Sequence, residues 1–226
     1  MVGLSNSVSQ ITGSYSTCTV SGKTEVGGLI GLNHGQIYNS FALGDVTGTG
    51  MSIGGLAGMN NLQFAKIENA YAMGKVQGVS QVGGLVGYSS GTINCAYAMG
   101  KVTGTSVCGG LVGEAGAEAS NTNSYWDKGT SCQTGSAGGT GKSTAEMKNP
   151  DTYAGWNFTD IWGIDAGKND GYPFLRGVTV EESAAPNTEA DITAFSFVQQ
   201  TGEAIINSVA GTIAVEVAHG TNVTNL

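Results

Sequence analysis

Charge is what this sequence most lacks. Only 12% of its 226 residues are Asp, Glu, Lys or Arg. Proline occurs 3 times beside 38 glycines. That ratio excludes collagen, which needs Gly at every third position with abundant Pro. Basic residues are scarce: 9 Lys and Arg face 17 acids, a formal charge of −8. No basic patch of the kind that nucleic-acid binding requires is present. After Arg176 there is no further Lys or Arg, while six acids follow from Val178 onward. The first 125 residues, with five acids and four lysines, are near neutral, and the tail is acidic. An anionic membrane surface would repel that tail. No apolar run approaches the length of a membrane span, and no signal-peptide pattern opens the chain.

What is present is a repeat. Four segments open alike: Val26-Gly-Gly-Leu-Ile-Gly31, Ile53-Gly-Gly-Leu-Ala-Gly58, Val82-Gly-Gly-Leu-Val-Gly87 and Cys108-Gly-Gly-Leu-Val-Gly113. A second motif follows the first three: Ile37-Tyr-Asn-Ser-Phe-Ala-Leu-Gly-Asp-Val46, Ile67-Glu-Asn-Ala-Tyr-Ala-Met-Gly-Lys-Val76 and Ile93-Asn-Cys-Ala-Tyr-Ala-Met-Gly-Lys-Val102. It also precedes the first opening, at Ile11–Val20, and fades at Asn123-Ser-Tyr125. A period of 26–29 residues sustained in this way predicts a solenoid. Val2-Gly-Leu4 looks like the remnant of one more opening, and Leu226 stops in mid-pattern. The chain is therefore expected to be a piece of a longer one, so a missing leader or anchor says nothing of location.

The tetrads Gly28-Leu-Ile-Gly31, Gly55-Leu-Ala-Gly58, Gly84-Leu-Val-Gly87 and Gly110-Leu-Val-Gly113 resemble the GLUG motif, Gly-Leu-apolar-Gly. Ser124-Tyr-Trp-Asp127 and Gly171-Tyr-Pro-Phe-Leu175 are similar to the region that closes such arrays. The resemblance covers roughly residues 1–176. It implies a scaffold of large bacterial surface proteins, among them adhesins and some immunoglobulin-A-cleaving metallopeptidases. It supplies no catalytic residue.

A coil of this length fits a β-helix, whose short strands each pair in parallel with the same strand of the next coil. At ~4.8 Å per coil, about four and a half coils span ~20 Å. Equivalent positions should stack: Tyr15, Phe41, Tyr71, Tyr97 and Tyr125 as an aromatic ladder, Val20, Val46, Val76 and Val102 as an apolar one. Asn39, Asn69 and Asn123, interrupted by Cys95, form a polar one. Strict alternation would put Ala70, Ala72, Gly74 and Val76 on one face and Tyr71, Met73 and Lys75 on the other. Because long apolar side chains fill a coil better than Ala and Gly, we expect a bend near Gly44, Gly74 and Gly100 that turns the Tyr, Met and Val rows inward.

After Trp126 the composition shifts. Residues 129–142 read as a loop, and Ser143-Thr-Ala-Glu146 has capping-box spacing for a short helix ending before Pro150. Tyr153, Trp156, Phe158, Trp162, Tyr172 and Phe174 then form an aromatic cluster, expected to cover the open end of the solenoid. Residues 177–190 read as an acidic linker. Ile192–Val198, Ala204–Asn207 and Thr212–Val217 alternate like strands, similar to the first strands of small immunoglobulin-like modules of bacterial surface proteins.

Candidate chemistry is sparse. His34 and His219 lie far apart without partners, and no His-Glu-x-x-His zinc motif is present. Cys18, Cys95, Cys108 and Cys132 lack Cys-x-x-Cys spacing. Cys18 should lie on the order of 14 Å from Cys95 and Cys108, too far for a disulfide. Isolated thiols are expected, with Cys95–Cys132 the one pairing left open. Asp165–Gly171 resembles a calcium loop but has Asp170 where an EF-hand needs Gly. Asp160, Asp165 and Asp170 could supply a carboxylate pair for sugar hydrolysis only if the fold brings two together. Thr47-Gly-Thr49 and Thr103-Gly-Thr105 hint at a flat ice-binding array that Gln77-Gly-Val79 breaks.

The expected architecture is all-β: a β-solenoid over 1–126, an aromatic cap with a short helix over 127–176, a linker over 177–190, and a partial β-sandwich, the start of an immunoglobulin-like module, over 191–226. The expected function is that of a non-catalytic structural or adhesive repeat region, extracellular or at the bacterial cell surface. No catalytic, cofactor or metal residues are assigned. A host glycan or matrix protein and other domains of the parent chain are the expected partners, without nucleic acid or membrane insertion. Two alternatives stand beside it: a carbohydrate-active β-helix with its site in the cap, which requires exposed Trp156 or Trp162, and a substrate-positioning region of a larger surface peptidase.

Overall fold

The computed structural model describes residues 2–180, 205–207 and 212–214. Residues 2–180 are a β-solenoid whose strands stack into four parallel sheets. Sheet I contains Val2–Ser5, Ile30–Asn33, Ala57–Asn60, Val86–Ser89 and Val112–Ala115. Sheet II holds the second motif as Gln36–Ala42, Lys66–Ala72 and Thr92–Ala98. The shorter strands Gln10–Thr12, Tyr15–Ser16, Ser120–Thr122 and Tyr125–Asp127 flank it in the first and last coils. Sheet III runs through Val20–Gly22, Val46–Gly48, Val76–Gln77 and Val102–Thr103, and sheet IV through Val26–Gly27, Met51–Gly54, Ser80–Gly83 and Cys108–Gly109. The register is that of the repeat: Ile37, Ile67 and Ile93 pair in line, as do Phe41, Tyr71 and Tyr97.

Each coil encloses two small apolar cores. One, between sheets I and II, stacks Leu29, Leu56, Leu85 and Leu111 of the openings on Ile37, Ile67 and Ile93. The other, between sheets III and IV, stacks Val20, Val46, Val76 and Val102 on Val26, Ile53 and Val82. The second glycine of each opening makes this possible. A Cβ on Gly84 would overlap the carbonyl oxygen of Gly110 and stand 2.9 Å from Ala98 Cβ. Gly28 and Gly55 meet Ala42 and Ala72 in the same way, so small residues on both sides let the turn reach the opposite sheet. At the last coil Trp126 replaces the alanine and packs its indole over Gly110, closing the core.

Strict alternation holds where a bend was expected. Ala70 and Ala72 face the inner core, Tyr71 and Met73 face outward, and Val76 returns to the second core. The expected inward turn at Gly74 is thus corrected. The parity reset lies upstream, at Asn69. Asn39, Asn69, Cys95 and Asn123 all adopt φ of 46–52°, the left-handed region. The pairing register skips this position, and Ile67 and Ala70, three apart, both point inward. Asn tolerates this conformation better than most residues. The expected Asn row forms at these positions, with Asn69 Nδ2 donating to Asn39 Oδ1 at 3.1 Å. A second left-handed row, Glu25, Ser52, Gln81 and Val107, precedes the openings.

A buried polar ladder went unseen in the sequence. Ser5, Asn33, Asn60 and Ser89 stack at the corner between sheets I and II, all inaccessible to solvent or nearly so. Ser5 Oγ donates to Asn33 Oδ1 at 2.8 Å, Asn33 Nδ2 to Asn60 Oδ1 at 2.8 Å, and Asn60 Nδ2 to Ser89 Oγ at 3.2 Å. Each amide satisfies its neighbour, which a buried polar group needs.

The expected cap divides in two. Residues 133–142 pair with the last coil and cover its edge. Gly110 N donates to Gly135 O, Ala137 N to Val112 O, and Thr140–Lys142 adds a parallel strand to sheet II. The aromatic residues lie instead along the outer flank of sheet II. Helix α1 (Lys128–Ser131) is capped by Asp127, and α2 (Thr144–Met147) carries the expected capping box between Ser143 and Glu146. A two-stranded antiparallel ribbon, Trp162–Gly163 with Phe174–Leu175, completes this strap.

Residues 181–226 form a separate unit. In it Ile205–Asn207 pairs antiparallel with Thr212–Ala214. The remainder of the expected immunoglobulin-like module, and most of the expected linker, lie outside the described residues.

Candidate functional site

Sheet II presents two outward regions, one covered and one open. The covered region is the aromatic ladder. Tyr15, Phe41, Tyr71 and Tyr97 stack with ring centroids 5.3, 4.6 and 5.1 Å apart and ring planes nearly parallel. Tyr172 of the strap stacks on Tyr97 at 6.2 Å, and Trp162 leans on both Tyr71 and Tyr97. Polar tips are tied to the coils. Trp162 Nε1 donates to Asn69 Oδ1 at 3.3 Å, Trp156 Nε1 to Asn123 O at 2.8 Å, and Tyr97 Oη to Pro173 O at 2.8 Å. Burial raises the hydroxyls of Tyr71, Tyr97 and Tyr153 well above the ordinary tyrosine range.

Asp127 anchors the strap to the last coil. It is fully buried. Its Oδ1 accepts from Gly129 N at 2.7 Å and Thr144 Oγ1 at 2.9 Å, and its Oδ2 from Tyr172 Oη at 2.6 Å. Burial, reinforced by this carboxylate, pushes the Tyr172 hydroxyl up. In the sequence Asp127 stands out only as the last residue of Ser124-Tyr-Trp-Asp127. Its position before Lys128-Gly-Thr was the available N-cap signal.

The open region lies at the start of the same strands. Six side chains line it, four of them hydrogen-bonded in a run from Lys66 to Thr122 and two as a separate pair, Gln36 with Tyr38. Tyr38 Oη donates to Gln36 Oε1 at 2.8 Å, and Lys66 Nζ stands 5.4 Å over the Tyr38 ring. Lys66 pairs with Glu68 at 2.7 Å, Asn94 Nδ2 donates to Glu68 Oε1 at 3.0 Å, and Thr122 Oγ1 to Asn94 Oδ1 at 2.9 Å. Partial burial would raise the Glu68 carboxyl, but the bonds from Lys66 and Asn94 outweigh it and hold it below the usual value. The hydrogen bond to Glu68 raises Lys66 in turn.

The sequence candidates are not brought together into a catalytic centre. Trp156 and Trp162 are 7% and 0% exposed, so neither offers a sugar-stacking platform. The carbohydrate-active reading required that platform and is corrected here. Asp160 accepts from Asn157 Nδ2, and Asp165 from Gly167 N, as solvated turn acids. Asp165 and Asp170 border an open depression of about 320 Å³ with Lys148. The four cysteines are free thiols, which answers the Cys95–Cys132 question, and burial pushes Cys95 up to about 11. Among the described residues no cluster of His, Cys, Asp and Glu is arranged to hold a metal ion. His34 sits in a turn, its amide bonded to Ser5 O, and His219 lies outside the described residues.

This coil geometry places the chain in a class, the parallel β-solenoids with glycine-rich openings. The model of the GLUG motif matches residues 22–47, which run from the end of one coil through the second motif of the next. The other openings repeat that coil in structural register, so the chain carries the GLUG motif within a repeat. A protein of Evansella cellulosilytica, provisionally named a Gly-rich membrane protein, is 41% identical over 149 residues. The match covers 61% of this chain and 13% of that relative, so the chain spans only a small part of the relative's length. Among the described residues no helix is long and apolar enough to cross a membrane. The crystal structure of a protein provisionally described as an immunoglobulin A1 protease from Bacteroides ovatus superposes with a TM-score of 0.56 at 24% identity. It covers 74% of this chain and 57% of its own, and the likeness is one of fold.

Proposed function

We propose that this chain is a non-catalytic, adhesive and spacing region of a bacterial surface or secreted protein, acting outside the cell. The observation that carries this reading is where the aromatic and polar side chains go. The tyrosine ladder, both strap tryptophans and the buried carboxylate are consumed in holding coils and strap together. What is left free is an ordered, nearly neutral polar surface. A rigid stack of identical coils displays such a surface at fixed spacing, as repeat scaffolds do. The name of the Evansella cellulosilytica relative supports a place at the cell envelope. The fold shared with the Bacteroides ovatus protein brings no activity with it, since fold alone does not set function.

The test is binding of the purified full chain to immobilised host-matrix proteins and a glycan panel, alongside activity assays on the same glycans and on immunoglobulin A. Saturable binding without turnover is expected. Cleavage of any of these substrates by the isolated chain would overturn the reading.

A further inference from the structure

We infer that the open half of sheet II, centred on Tyr38, Glu68 and Asn94, is a binding surface for a neutral, hydroxyl-rich glycan laid along the solenoid axis. The inference rests on the adhesive reading above and names the partner class. Four observations support it. First, the surface is polar yet charge-balanced. Its one ammonium, Lys66, is neutralised by Glu68 at 2.7 Å, so a strongly charged ligand would have to compete with a formed ion pair. Second, its donors and acceptors are already ordered by the Tyr38–Gln36 hydrogen bond and by the bonded run from Lys66 through Glu68 and Asn94 to Thr122. Preordered groups lose little freedom on binding. Third, successive rungs recur at ~4.8 Å. That is close to the length of one sugar ring, so consecutive residues of an extended glycan would meet consecutive coils.

The fourth observation is an aromatic with no structural use. The turns into sheet II take two residues between Asn33 and Gln36 and between Ser89 and Thr92. In the intervening coil the turn takes five, Asn61 to Ala65. The longer turn holds Leu62 at φ 101° and leaves Phe64 71% exposed, two residues before Lys66. A strained backbone that exposes a phenyl ring beside a polar sheet costs stability, and such strain concentrates at functional positions. An aromatic body next to hydroxyl and amide groups matches the amphipathic face of a pyranose.

Calorimetry of the full chain with neutral hexasaccharides of glucose, mannose and N-acetylglucosamine, and with a sulfated glycan, tests this. At least one neutral hexasaccharide is expected to bind, with Tyr38→Ala and Phe64→Ala each weakening it tenfold or more. Asn94→Ala should weaken it less, and Val79→Ala, on an exposed turn after sheet III, should leave it unchanged. Near-ultraviolet circular dichroism of each variant confirms that the strap stays docked. Preference for the sulfated glycan, absence of binding to all three neutral hexasaccharides, or binding indifferent to Tyr38 and Phe64 would overturn the assignment. If the unaltered chain binds matrix proteins but none of the three neutral hexasaccharides, this surface fails and the adhesive reading stands. If neither ligand class binds, both fail.

Discussion

The inner and outer faces of sheet II bury apolar side chains by different means. Inside, Ile67, Ala70 and Ala72 of one coil meet Leu85 and Val86 of the openings, and every coil repeats the solution. Outside, Phe41, Tyr71 and Tyr97 repeat just as regularly, yet what covers them, Met147 to Leu175, occurs once. A repeat can close its interior with copies of itself, because each coil supplies both walls. It cannot close an exterior row that way. The outer row needs a dedicated segment, and that segment's residues carry no trace of the period.

Three perturbations separate the two regions, beginning with the largest. Alkaline pH acts chiefly on the flank, where the buried tyrosines lie. The buried phenols of Tyr71, Tyr97 and Tyr153 have raised pKa values, so the folded protein retains protons that the unfolded chain releases above about pH 10. Stability therefore begins to fall above about pH 9, where the unfolded chain releases the Cys95 proton that the fold retains, and falls more steeply above about pH 10, by up to about 1.4 kcal/mol per pH unit for each tyrosine. Denaturant titrations at pH 9 and pH 11, with tyrosinate absorbance as the second probe, check this. Tyrosinate appearing well before the loss of β signal would show that the strap opens on its own.

Next come paired truncations. Trp162→Ala on the flank and Leu85→Ala in the interior should each cost about 2–5 kcal/mol. Trp162→Ala is expected to erase the near-ultraviolet circular dichroism of the aromatic cluster while the far-ultraviolet β signal survives. Leu85→Ala should lower both together. Identical behaviour of the two variants would mean that interior and flank are one cooperative unit.

Much of this contrast was legible in advance. The period, the four openings, the aromatic and valine ladders and the capping box at Ser143 all follow from residue spacing, and all stand. Two things were hidden. The strand face of Tyr71 could not be read, because a buried Tyr is compatible with an inward side chain or with an outward one under a strap. Only the long-range pairing of Trp162 with Asn69, 93 residues apart, decides between them. The parity reset at Asn69 was hidden because glycine, the usual residue for an unusual backbone angle, stood nearby at Gly74 and drew the reading there. The Ser5–Asn33–Asn60–Ser89 ladder was obscured because the row switches between Ser and Asn from coil to coil. The open polar face carried no signal beyond ordinary strand-surface composition.

The smallest effect sharpens the account of the left-handed rows. Val107 sits in that row at φ 40°, where a β-branched side chain is strained. Val107→Gly should raise stability by about 1 kcal/mol, relieving the strain against some loss of unfolded-state restriction. A lower melting temperature for this variant would show that the Val107 side chain contributes contacts that outweigh its backbone.

The single strap also sets how the molecule yields to force. Tension drawn through the N-terminal side of the solenoid unzips parallel rungs one coil at a time, each a small event. The first coils are held by their ladder contacts. From Asn69 onward, Trp162, Trp156 and Pro173 rivet several coils to one crosspiece, and Asp127 bolts that crosspiece to the last rung. In single-molecule pulling, the trace should show a series of low, evenly spaced rips followed by one taller rupture, a fuse in series with a clamp.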